Sequence, residues 1–176
     1  MNKLTTLAAS AALTCVALGL APSLASADQT SSPWIQYREP DFSFPAGGCA
    51  FQVDAHVVND HEAYRVLESY SDGTDKVQEW KGLLMIEFTN HDTGASVTRN
   101  VNGRGLIEYT ADGAFHKITI ESGHFTTGFR PGSGVEPGVY YVGGKGTSMT
   151  VNPDGTKTLV LGKNGSAENL CLALGG

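Results

Sequence analysis

The stretch CAFQVDAHVV, residues 49–58, decides the fold. Its odd positions Cys49, Phe51, Val53, Ala55 and Val57 are apolar, and Gln52, Asp54 and His56 stand between them. Side chains on a β-strand alternate between two faces. The odd set therefore reads as a core face, and the three polar residues share the other. A helix has a period of 3.6 and would scatter the same residues around its circumference.

Outward from this stretch, β-branched and aromatic runs recur. They include YRVLESYS (64–71), LLMIEFTN (83–90), FHKITIES (115–122), HFTTGF (124–129), GVYYVGG (138–144) and TKTLVLG (156–162). Turn signals separate them: Asp72-Gly73, Asp92-Thr93-Gly94, Asn102-Gly103, Asp112-Gly113, Pro153-Asp154-Gly155 and Asn164-Gly165. Such pairs supply the positive φ angles of tight hairpins. No segment from 49 to 165 carries a helical period. The reading is all-β, an antiparallel meander of about nine to eleven strands. Its unbroken hairpin order favours closure into a β-barrel, with a β-sandwich as the alternative. Leu83-Leu84-Met85-Ile86 is apolar on both faces, so the N-terminal arm or the C-terminal tail is expected to cover its outer side, unless one face lines an apolar lumen.

The ends read differently. Residues 1–27 combine Lys3, an apolar stretch from about Leu7 to Leu20, Pro22 and Ala25-Ser26-Ala27. That order describes a secretory signal peptide cleaved after Ala27, too short and too rich in small residues for a membrane anchor. The chain is thus expected to be secreted and extracellular. Residues 28–47 hold Pro33, Pro40 and Pro45 and no clean period, which reads as an extended arm anchored by Trp34, Tyr37, Phe42 and Phe44. Residues 48–176 form the single β domain. After cleavage only Cys49 and Cys171 remain, and an exported chain with two cysteines has one intramolecular pairing. A Cys49–Cys171 disulfide would pin the tail SAENLCLALGG, in which Ser166 caps a helical turn and Leu170, Leu172 and Leu174 pack onto the body.

Loss of Lys3 takes 12 basic residues to 11 against 18 acidic, a net charge of −7. This argues against nucleic acid and anionic membranes as partners. The chain lacks G-x-S-x-G, H-E-x-x-H, a P-loop and a Rossmann glycine signature, so no cofactor and no metal site is expected. The candidate ligand-binding residues are Asp54, His56, Glu87, Glu108, Arg130 and Tyr140. Asp54 and His56 share a strand face and would form an acid–base pair if that face lined a wet lumen. Glu108 would pair with Arg104, four residues away on its own strand. Arg130 and Tyr140 flank the irregular segment FRPGSGVEPGVYY (129–141), a candidate rim loop. His116 alternates with Ile118 and Ile120, which marks a core histidine.

FPAGGCAFQV, FTNHDTGASVTRNVNG, GHFTTGF, VYYVGG and SAENLCLAL together resemble an uncharacterised family of secreted actinobacterial β-rich proteins. The resemblance spans most of residues 28–176 and implies a hairpin, a disulfide and a terminal segment. It implies no activity. Three functional readings follow: a secreted barrel binding a small, partly apolar ligand; a barrel isomerase or cyclase using Asp54, His56, Glu87 or Glu108; and a protein-binding or envelope-associated module acting through its surface and the arm at 28–47.

Overall fold

A computed structural model describes residues 32–176. The signal-peptide reading lies outside these residues. The described residues are all-β, 57% strand and 3% helix, and every strand pair among them is antiparallel. Thirteen strands run in chain order: β1 (Ile35–Tyr37), β2 (Phe42–Phe44), β3 (Val53–Asp60), β4 (Glu62–Ser69), β5 (Asp75–Gly82), β6 (Leu84–Asn90), β7 (Ser96–Asn100), β8 (Gly103–Tyr109), β9 (Phe115–Phe129), β10 (Gly138–Gly143), β11 (Ser148–Val151), β12 (Lys157–Val160) and β13 (Ser166–Asn169). A short helix, α1 (Leu170–Ala173), ends the order.

The strands form two sheets. The larger runs β1-β4-β5-β8-β9-β10-β13, with β11 and β12 attached through β9; the smaller runs β2-β3-β6-β7. Neither is closed into a barrel. The physical reason lies in the corners. The chain passes between sheets at His61, at Leu83 and at Val101-Asn102. These corners are stitched together: His61 N donates to the Leu83 carbonyl at 2.8 Å, and Leu84 N to Asn102 Oδ1 at 2.7 Å. His124 N donates to the Asn102 carbonyl at 3.1 Å.

Asn102-Gly103 is therefore a sheet-switching corner, not the hairpin its composition suggests. Gly103 pairs with Gly82 on one side and Gly123 on the other. A Cβ at Gly103 would lie 2.7 Å from the Ser122 carbonyl oxygen. Glu121-Ser122-Gly123 lies inside a single strand. It kinks the fifteen-residue strand β9, where Gly123 takes φ +81° and the register with β8 slips. The tight hairpins fall at Asp72-Gly73, Asp92-Thr93-Gly94, Asp112-Gly113 and Asp154-Gly155, where Asp72 and Asp154 accept backbone N–H bonds across the turn; a longer loop, 130–137, joins β9 to β10.

The arm contributes a short strand to each sheet, β1 against β4 and β2 against β3. Trp34 receives the cations of Lys81, 3.9 Å from the ring centre, and Arg65 at 4.9 Å. The Cys49–Cys171 disulfide is formed, with Cα atoms 5.4 Å apart, and is compatible with an oxidising compartment. Asn169 caps α1 by accepting from Cys171 N, while Ser166 lies in β13. Leu170 and Leu174 are fully buried and Leu172 is 71% exposed. One helical turn puts residues four apart on one side and the residue between them on the other. The outer side of 83–86 is open to water, with Leu83 50% and Met85 36% exposed; only Leu84 and Ile86 point inward. Among the described residues, no helix is long and apolar enough to cross a membrane.

Candidate functional site

The core is in two parts. One cluster joins Phe51 and the inner face of the smaller sheet (Val53, Ala55, Leu84, Ile86, Phe88) to Val139, Leu170 and Leu174. The other gathers Ile120, Phe125, Phe129, Tyr140, Val142 and Met149. Between them lies a cavity of about 450 Å³. Phe42, Phe44, Leu84 and Ile86 line it from the smaller sheet, and Trp80, Ile107, Phe115, Ile118, Ile120 and Phe125 from the larger. Each is placed by strand alternation. Trp80 stacks on Tyr64 at 4.9 Å, meets Tyr37 edge-on at 5.1 Å and donates Nε1–H to Gln78 Oε1 at 2.8 Å. Tyr109 Oη donates to the same oxygen at 2.9 Å, so the wall is held rigid.

Charged groups enter this apolar wall in two places. Glu39 and Glu62 line it near Trp80 and Gly82. Burial pushes the Glu62 carboxyl up to about 7, and the charges of Asp60 and then Glu39 add to the shift. Burial also raises the Glu39 carboxyl, against a hydrogen bond with Tyr37. Elsewhere, Lys157 Nζ donates to Thr127 Oγ1 and to the Gly128 carbonyl, both at 2.9 Å. Burial, followed by the charge of Arg130, lowers its pKa. Lys157 also lines a recess of about 140 Å³, together with Phe44, Gly48, Gly128, Arg130 and Gly138.

The residues singled out from sequence are placed as follows. Asp54 and His56 share the outer face of β3 and lie outside the cavity. They do not pair with each other. His56 Nδ1 lies 2.7 Å from Asp41, and Asp54 lies 2.7 Å from His91 Nδ1. In each pair the hydrogen bond, then the opposite charge, raises the histidine pKa. Glu87 is on the outer face of β6 beside Met85, half-buried and away from the cavity. Glu108 bonds Lys117 at 3.0 Å across the β8–β9 ladder, whereas Arg104 turns to Glu79 and to Glu121 at 3.0 Å. Cross-strand neighbours are about 5 Å apart, while residues four apart on one strand are about 13 Å apart, which explains the exchange. Tyr140 is buried and donates to the Glu136 carbonyl at 3.0 Å. Arg130 alone of the six borders a cavity, the smaller one.

Glu62, Trp80 and Lys157 were not recognised in the sequence as site residues. A signal for Lys157 existed: it shares a strand face with Leu159, so a lysine stands in an inward row. Glu62 shares a face with Tyr64 in the same way. Among the described residues, no three His, Cys, Asp or Glu side chains cluster as metal ligands. Compared with known proteins, the chain matches no family model, no curated protein and no solved structure.

Proposed function

We propose that this protein is a secreted binding protein of sandwich-like architecture that holds a small, partly apolar molecule between its two sheets. The cavity of about 450 Å³, walled by large apolar side chains from both core clusters, carries this reading. Its volume lies within the range of small-molecule sites, roughly 300–1,000 Å³. The space opens to solvent, so it holds water or a ligand, and its walls favour an apolar one. Export fits the disulfide and the resemblance of FPAGGCAFQV and SAENLCLAL to secreted proteins.

The isomerase or cyclase reading rested on Asp54, His56, Glu87 or Glu108, none of which lines the cavity. The protein-binding reading rested on the surface and the arm at 28–47, of which residues 35–37 and 42–44 are paired into the sheets. Native mass spectrometry of protein from its own culture supernatant tests the proposal. A copurified mass, lost in the cavity-filling variant Ile118→Trp, is the expected result. No extra mass, and no binding of an apolar fluorescent probe such as 1-anilinonaphthalene, would overturn it.

A further inference from the structure

Resting on that reading, we infer the chemical class of the ligand: an amphipathic carboxylate, its apolar body between the sheets and its carboxylate on Lys157. The large cavity and the small recess share Phe44, Gly128 and Lys157, so Lys157 stands where the two spaces meet. Its ammonium has three N–H donors. Two are used, on Thr127 Oγ1 and the Gly128 carbonyl, and Thr127 is itself buried. These neutral partners aim the head group without neutralising it. Among the described residues, no carboxylate lies within ion-pair distance of Lys157, although Arg65, Lys76, Arg99, Arg104 and Lys117 each have one.

A half-buried cation without a counter-ion is unfavourable, and an anion with an apolar body would supply the missing charge. Arg130 borders the same recess and adds a second positive charge. The carboxyls of Glu39 and Glu62 line a different part of the wall. Glu62 lies against Gly82, which is in one cross-strand row with Gly103 and Gly123. Gly128 is five residues further along β9, roughly 16 Å of extended strand. The cavity is therefore polarised, and a single-headed anion has one favoured orientation.

The test is calorimetric titration of the purified protein with decanoate, decanol and decylamine, which share one chain length. Decanoate is expected to bind at least about tenfold more tightly than decanol, whereas the affinity of decylamine, whose ammonium would turn to Glu39 and Glu62, should not fall in Lys157→Met. Lys157→Met keeps the aliphatic stem and should remove the preference for decanoate while leaving decanol unchanged. Lys157→Arg, which keeps the charge, should retain it. Equal binding of decanoate and decanol, or a preference that survives Lys157→Met, would overturn the carboxylate inference and leave the cavity reading intact. Failure of all three to bind, with no apolar probe bound either, would overturn both.

Discussion

Glu62→Gln removes a charge and keeps the shape of the side chain, which makes it a direct test of the cavity's electrostatics. The Glu62 carboxyl stands at about 7 against an ordinary 4.5, through burial first and then the charges of Asp60 and Glu39. The folded protein thus retains a proton that the unfolded chain releases at about pH 4.5. Stability linked to that proton is fully present below the unfolded value and is lost as pH rises through 7. The interval from 4.5 to 7 corresponds to about 3.4 kcal/mol at 1.36 kcal/mol per tenfold. Glu62 is only partly buried, so solvent screening brings the expected effect down to about 1.5 kcal/mol. Urea unfolding at pH 4.5, 6 and 8, followed by the fluorescence of Trp34 and Trp80, reads it. The variant and the parent should be equally stable at pH 4.5, and the variant more stable by about 1.5 kcal/mol at pH 8. A variant less stable than the parent at pH 8 would mean that the ionised carboxylate has a favourable partner, and would refute the reasoning.

Three further outcomes follow from the frame. Replacing Cys49 and Cys171 together with serine opens a loop with a sequence separation of 122 and should cost roughly 2–5 kcal/mol of unfolding free energy in urea titration, the chain-entropy value being about 4–5. Leu174→Ala should cost about 2–5 kcal/mol and Leu172→Ala almost nothing in the same assay, since the first is fully buried and the second 71% exposed. Gly73→Ala, with φ +90° but open space around it, should cost about 1–2 kcal/mol. Gly123→Ala should cost several kcal/mol more or prevent folding, because its Cβ would overlap the Asn102 carbonyl.

Local chemistry was legible in the sequence and the path of the chain was not. The alternation at 49–58 placed Phe51, Val53 and Ala55 inside, as they are. Asp72-Gly73 and Asp112-Gly113 close hairpins because an aspartate that bonds the following backbone and a glycine at positive φ define a turn within a few residues. Asn102-Gly103 carries the same local signal and makes a corner instead. What decides between them is the close approach of Gly82, Gly103 and Gly123, residues from three strands, which no local window contains. The same limit applies to the site. Asp54 and His56 drew notice as a pair two residues apart, yet each is satisfied by a residue of another strand or turn, Asp41 or His91. Lys157 drew none, because its meaning comes from lying beside a cavity whose other walls are tens of residues away.

The cavity itself follows from that long-range frame. Its walls are not made of small residues: Phe42, Phe44, Trp80, Phe115, Phe125 and Met149 all face it and still leave about 450 Å³. Spacing between the sheets therefore sets the volume. The corners at His61, Leu83 and Asn102 fix the separation at one edge. Elsewhere, Arg99 of β7 holds Glu168 of β13 through Nε–Oε2 at 2.9 Å, and Tyr141 Oη donates to the Asn100 carbonyl at 2.7 Å. The disulfide locks α1 against the segment preceding β3. Along β9, the kink at Gly123 lies between Ile120 and Phe125, which belong to the same core cluster. Cross-links at the borders and an apolar space between the sheets are the features on which the proposed binding role rests, and Lys157 is the cation that borders that space.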